Sequence, residues 1–292
     1  MKSKKSLKKI IGYILVIVGI GLPLYGFLGM SISEIRSNKA YNDFLENQRQ
    51  KEEGTLEEEN KKALAYNKSI NGDVQAVDPF DAIDYESINK IQKNNEVFAY
   101  LSIPSLDIKK PIYIGASDAN MAKGLATVDG TALPIGQVGT RSVIAGHRGY
   151  YKDLMLLNLG EIKNGDKIYI ERGGKGHVYE VIGQEIIYPN EWEKLAPIEG
   201  KDMITLLTCS PLKPPRRQRL LVNAERVAED DKKVEQVKEE IKTDKKVSNR
   251  IKLVNILSIV GLLAEIFVIG HFIKFLLWKW GGIRWKRQLN IS

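Results

Sequence analysis

The run Met203-Ile204-Thr205-Leu206-Leu207-Thr208-Cys209-Ser210-Pro211 decides how this chain is read. Residues 203–209 form a short β-rich stretch. The strand is predicted to stop after Cys209, because Pro211, Pro214 and Pro215 cannot donate ladder hydrogen bonds. A thiol is thereby left at a strand end beside an irregular loop, where reactive groups often sit. A buried structural cysteine is the competing reading, since free cysteines are among the most buried residues. Working outward, similar runs recur at 97–103, 111–114, 142–145, 167–171, 177–188 and 220–224. Asn164-Gly165-Asp166, Gly173-Gly174 and Gly130 punctuate them as turn signals. Short strands separated by such turns argue for an all-β barrel or sandwich over residues 95–226. Helical turns are predicted around Asp118–Lys123 and Tyr151–Leu157, and no internal repeat is visible.

The 292 residues are 43% hydrophobic and 27% charged, which excludes a wholly disordered or collagen-like chain. The net charge of +8 is confined to the tails. Lys2, Lys4, Lys5, Lys8 and Lys9 crowd the start, and Lys279, Arg284, Lys286 and Arg287 the end. Without these nine, 35 basic residues face 36 acidic ones, so the charge gives no argument for a nucleic-acid partner. A single cysteine excludes an intramolecular disulfide and a multi-cysteine metal site.

Ile10 to Met30 carry no charge over 21 positions, enough to cross a hydrocarbon layer of about 30 Å. A signal peptide has a shorter apolar core and a small-x-small cleavage site. Leu28-Gly29-Met30-Ser31-Ile32-Ser33 offers no clear site, so an uncleaved anchor is expected, kinked at Pro23. A second span is predicted over 253–277, interrupted by Asn255, Glu265, His271 and Lys274. Glu265 is costly in lipid; it either pairs with a polar group on the first span or is protonated. Trp278, Trp280 and Trp285 resemble an interfacial belt. The basic tails, 1–9 and 278–292, are expected in the cytoplasm, which places residues 31–252 outside it. Within residues 31–94, the polar stretch from Ser33 to about Asn71 reads as a helical stalk, with Tyr41, Phe44 and Leu45 as a short apolar stripe. Residues 227–252 read as a charged helical linker, with Val227, Val234, Val237 and Ile241 on one face. A solvated stalk is the default reading of both.

A nucleophilic thiol needs a base or a positive field to become thiolate. Three histidines are available. His271 lies at the second span, His177 starts a strand, and His147 ends the run Ser142-Val143-Ile144-Ala145-Gly146. Strand-end placement between glycines favours His147. Arg219 precedes the β-run 220–224, which is expected to return alongside the cysteine strand. A guanidinium there can donate to an oxyanion and favour the thiolate.

Thr205-Leu206-Leu207-Thr208-Cys209 matches the TLxTC signature of sortases, the Gram-positive cell-surface cysteine transpeptidases. Ala145-Gly146-His147-Arg148-Gly149 resembles their histidine motif, and Arg219-Leu220-Leu221-Val222 their arginine strand. Two flanking spans and an N-terminal extension resemble the class C, pilin-polymerising branch. That branch often carries a lid bearing Asp-Pro-aromatic, and this chain has Asp78-Pro79-Phe80. Asp78 as the N-cap of an ordinary helix, with Pro79 at its first position, is the alternative. The loop from Ser210 to Gln218 differs from the family's Thr-Pro-Tyr-Gly pattern; register with Leu220 selects Arg219, with Arg217 as the fallback.

The resemblance implies a mainly β fold: a closed sortase-type β-barrel with short helices, preceded by the lid extension and flanked by transmembrane helices. It implies Cys209 as nucleophile, His147 as general acid/base, Arg219 as oxyanion donor, Thr208 as support, and Asp78 and Phe80 as lid, with no metal or organic cofactor needed. Substrates would be pilins or surface proteins bearing an LPxTG-like sorting signal, and the acceptor a pilin lysine amine, at the lipid bilayer. Attachment to peptidoglycan, or a catalytically silent tethered binding domain, are the rival functions.

Overall fold

The computed structural model describes residues 2–51, 53–70, 78–80, 96–150, 153–227, 232–233 and 249–289. The chain divides into two compact units, Glu34–Ser248 and Met1–Ser33 with Asn249–Ser292.

In the larger unit the strands are β1 (Ala99–Ile103), β2 (Ile108–Ile114), β3 (Leu125–Thr127), β4 (Thr140–Ala145), β5 (Lys167–Arg172), β6 (Lys175–Ile187), β7 (Asp202–Ser210) and β8 (Gln218–Arg226). They run in the order β5-β1-β2-β3-β4-β7-β8-β6, and pairing of β5 with β6 closes the barrel. Closure removes the unpaired edges that an open sheet exposes. A two-residue strand, β9 (Lys232–Lys233), pairs with Lys175 and Gly176 of β6. The sequence reading missed β3, because Leu125-Ala126-Thr127 is too short to show a period of two.

Strand β7 is buried from Asp202 to Thr208 because both of its faces are covered. Ile204 and Leu206 join Ile144, Leu220, Val222 and Ala224 in one cluster. Leu207 joins Val143, Ala145 and Leu221 in a second cluster on the opposite face, against which Phe80 packs. Period-two alternation thus assigns every other residue of β7 to the face that Phe80 covers.

Three expectations are corrected here. The polar N-terminal extension is not a solvated stalk. Beyond Ser33, helix α1 (Lys2–Gln50) buries Tyr41, Phe44 and Leu45 with Tyr100 of β1. The Tyr41 hydroxyl donates to the buried Glu171 carboxylate at 2.6–2.7 Å, and burial followed by that carboxylate raises the phenol's pKa. In α2 (Glu53–Ser69), the Asn67 amide brackets Leu133, accepting from its N–H at 2.8 Å and donating to its carbonyl at 3.1 Å. Polar composition hid this docking, since the Tyr41, Phe44 and Leu45 stripe is short within an otherwise polar segment. Second, Val227 does not open a helix; its N–H donates to the Val178 carbonyl and it packs with Tyr169 and Val178. Val234, Val237 and Ile241 lie outside the described residues. Third, Tyr151 and Lys152 lie outside the described residues and 155–158 form a turn, not helix, whereas α3 (Asp118–Met121) is present, capped by Ser117.

In the smaller unit, α1 up to Ser33 packs antiparallel to α4 (Asn249–Leu289). Tyr13 meets Phe272 with ring centroids 5.2 Å apart, and Ser31 donates to Asn255 at 2.8 Å. Glu265 lies against Gly21, which supplies no polar side chain, and its Oε2 has no hydrogen-bond partner among the described residues. Both helices are long and apolar enough to cross a membrane, with mean hydropathies of 2.2 and 2.3. Trp278 is exposed, while the side chains of Trp280 and Trp285 lie outside those described.

Candidate functional site

Three strand ends converge on the face covered by Phe80. Strands β4 and β7 run parallel, with Ala145 opposite Leu207. The Gly146 N–H extends that ladder by donating to the Leu207 carbonyl at 3.0 Å. The buried Thr208 hydroxyl returns a bond to the Gly146 carbonyl at 2.8 Å. His147 and Cys209 each stand two residues beyond the Ala145–Leu207 pair, so the ladder carries them to the same level on adjacent chains. A larger residue at Gly146 would displace buried leucines, since a Cβ there would lie 2.4 Å from Leu125 Cδ2 and 3.0 Å from Leu156 Cδ1. On its other side β7 is antiparallel to β8, and Cys209 pairs directly with Arg219. Directly paired residues share a face of the sheet. The Arg219–Cys209 pair continues the row begun by Leu221–Leu207.

Arg219 is 1% exposed, whereas Arg217 is exposed and precedes β8. Register therefore brings Arg219, not Arg217, beside the cysteine. Cys209 itself is half-buried, unlike the fully enclosed residues before it.

Asp78, Pro79 and Phe80 lie over this row. The Asp78 carboxylate takes a two-pronged grip from Arg219, Nε donating to Oδ1 at 3.1 Å and Nη2 to Oδ2 at 2.5 Å. The guanidinium's Nη1 donates to the carbonyls of Arg216 and Gln218, both at 3.0 Å. The Phe80 ring meets His147 edge-on at 6.0 Å and lies 5.2 Å from the Arg219 guanidinium. Asp78 Oδ1 also accepts the Phe80 N–H, forming a tight local turn. The continuation that would distinguish a helix start, 81–95, lies outside the described residues.

The sequence reading gave no role to several neighbours that the fold brings in. Tyr150 stacks on His147 at 4.7 Å with planes 12° apart. Arg148 Nη1 donates to the Cys209 carbonyl at 3.1 Å. Arg148 was legible only as a member of the histidine motif, and Tyr150 carried no signal at all. Burial holds the His147 imidazole below its ordinary pKa; Asp118 pulls it back up and Arg216 pushes it further down. A neutral imidazole therefore suits the covered site, whose stability falls as pH drops below the ordinary imidazole range. An NMR titration of His147 should give a midpoint below that of free imidazole. Phe80→Ala should move it upward by rehydrating the ring, and an unmoved midpoint would show that Phe80 does not desolvate it.

His177 is buried beside Gly136 and Arg226, far along β6 from this row, and His271 lies in α4 of the other unit. Among the described residues no group of three or more His, Cys, Asp or Glu side chains is placed to hold a metal ion.

The sortase domain family matches residues 101–227, the stretch that supplies all three strand ends. Sortase C-3 from Streptococcus pneumoniae is 38% identical, with a TM-score of 0.60 over 67% of this chain and 91% of that one. The chain belongs to the sortase family. Streptococcus agalactiae sortase C1 is also similar, at 31% identity and a TM-score of 0.60, covering 68% of this chain and 98% of that one. Among curated relatives, sortase A of Bacillus anthracis is 30% identical over 129 residues, 44% of this chain and 59% of that protein. Sortase A of Streptococcus agalactiae serotype III is 26% identical over 151 residues, 49% of this chain and 60% of that protein. The chain thus spans about three-fifths of the length of these curated relatives. The family match of this sortase takes in His147, Cys209 and Arg219, while Asp78-Pro79-Phe80 and both N-terminal helices precede it.

Proposed function

We propose that this sortase is a membrane-anchored cysteine transpeptidase that cleaves an LPxTG-like sorting signal and passes the acyl group to a lysine amine, polymerising pilin subunits. The observation that carries the reading is the register of β7 with its neighbours, which sets Cys209 between His147 and Arg219 beneath Phe80.

The Cys209 thiolate adds to the Thr–Gly carbonyl carbon, and Arg219 donates to the oxyanion that forms. As the carbonyl re-forms, the C–N bond breaks and the departing amine takes a proton from the His147 imidazolium. The result is a thioester between Cys209 and the threonine. An acceptor amine then attacks that thioester, His147 takes the amine's proton, and the thiolate leaves as the new amide forms. Such acid–base assistance is typically worth about 10²–10⁴-fold in rate. Thr208 supports the site by tying the Cys209 strand to the backbone that precedes His147.

The closed arrangement is an inhibited one. Asp78 holds the guanidinium that the oxyanion needs, and Phe80 caps the imidazole, so the lid must leave before substrate enters. The helices at either end of the chain anchor the enzyme, with basic tails inside and the barrel outside the cytoplasm. Similarity to solved sortase C structures, one described in terms of pilin substrate specificity, favours pilin over other acceptors. The sortase A relatives favour the second reading, transfer of surface proteins to the cell wall.

A quenched LPxTG-type peptide tests the reaction: the full chain cleaves it and Cys209→Ala does not. Equal cleavage by both would sink the proposal. Purified pilin should be converted into covalent ladders; monomeric pilin with a cleaved sorting signal points instead to the cell-wall acceptor.

A further inference from the structure

Arg148 has no part in the roles assigned above, yet it lies closer to the reactive strand end than its position in a loop suggests. Its Nη1 donates to the carbonyl of Cys209 itself. Its Nε is buried without a hydrogen-bond partner among the described residues. Gly160 lies against the guanidinium, and a Cβ there would come within 2.9 Å of Arg148 Nη2 and push it aside. Burial weighs most against its charge, Arg216 opposes it further, and Cys209 favours it. The contrast with Arg219 is direct, because Asp78 neutralises Arg219.

We propose that Arg148 is a positioning residue for the thiolate, its guanidinium holding positive charge at the Cys209 sulfur while the lid occupies Arg219. The inference rests on Cys209 being the nucleophile of the reaction above. Its consequence is a division of labour. The lid controls access to the sulfur, and Arg148 keeps the sulfur ionised whether the lid is open or shut. The guanidinium is partly buried with no carboxylate partner among the described residues, a costly arrangement that is understandable if its counter-charge is the thiolate.

The pH dependence of Cys209 alkylation by iodoacetamide tests this, measured by mass spectrometry on the detergent-solubilised full chain. The chain has one cysteine, so modification reports that site alone. In the Phe80→Ala background, Arg148→Gln should move the alkylation midpoint up by about one pH unit, slowing the reaction about tenfold below it. Arg148→Lys keeps the charge and should stay near the parent. Glutamine can still donate to the Cys209 carbonyl, so a purely structural role predicts an unchanged midpoint in Arg148→Gln, and that result overturns the proposal. Equal shifts in the Gln and Lys variants also overturn it. Should Arg148→Gln fail to fold, Gly160→Ala displaces the guanidinium with its charge intact. It should shift the midpoint in the same direction by a smaller amount, and no shift rejects the assignment. Alkylation needs no peptide, so it separates the two claims. A shifted midpoint with no peptide cleavage sinks the transpeptidase reading alone, whereas cleavage with an unshifted midpoint sinks Arg148 alone.

Discussion

Asp78→Ala should raise the rate at which a bulky maleimide modifies Cys209 by about two to three orders of magnitude. The side chains of Arg219 and Asp78 are only 2% and 8% exposed, so in the closed arrangement each charge depends on the other. Removing one partner of a buried pair costs about 3–5 kcal/mol, because the remaining charge is left unpaired. That cost falls on the closed state alone, since an open lid returns Arg219 to water. At about 1.4 kcal/mol per factor of ten, the open-to-closed ratio rises by roughly 10²–10³. Phe80→Ala should act in the same direction with a smaller effect, because its ring is only partly buried and the ion pair survives. Stopped-flow labelling measures both. Unchanged labelling in the two variants rejects the lid and leaves Asp78-Pro79-Phe80 a structural turn. Iodoacetamide, being small, should respond less than the maleimide.

Arg219→Lys should lower kcat for peptide cleavage about 10²–10³-fold, the loss expected when an oxyanion donor is removed from a shielded site. Lysine retains the charge but not the planar fork, and it cannot both bond the Arg216 and Gln218 carbonyls and reach the oxyanion. The comparison belongs in the Asp78→Ala background, where no lid carboxylate competes for the guanidinium. KM should change little there, because the interaction forms only as negative charge develops on the carbonyl oxygen. Arg217→Ala, on an exposed residue before β8, should stay within about threefold of the parent, as surface substitutions usually do. A larger loss in Arg217→Ala than in Arg219→Lys would transfer the oxyanion role to Arg217.

These two results bear on the parts of the site that the sequence left undecided. From the linear chain, register with Leu220 selects Arg219, and the unfamiliar loop before it keeps Arg217 as the fallback. A strand's side chains alternate, and both numbers are odd, so parity alone did not choose between them. Pairing of Cys209 with Arg219 did, and only long-range hydrogen bonds fix a register. His147 was favoured over His177 by its place at a strand end. The parallel pairing of β4 with β7 then set it level with the cysteine, a relation with no local signature. The docked N-terminal helices illustrate the opposite difficulty. Tyr41, Phe44 and Leu45 show only as a short stripe with no partner named, and the buried polar contacts of Tyr41 and Asn67 leave no periodic trace.

The amino-acid order by itself determined the kinds of element present. Short β-rich runs, turn residues and proline stops specify short strands, and uncharged stretches specify the long apolar helices, because these preferences act within a few residues of one another. It also determined which chemical groups were available: one thiol, three imidazoles and a small set of guanidiniums. The tertiary structure alone decided which of them meet, that Asp78 rather than solvent faces Arg219, and that Arg148 reaches the cysteine backbone. Those meetings depend on strand register and on close packing at glycines, which are settled between residues far apart in the chain.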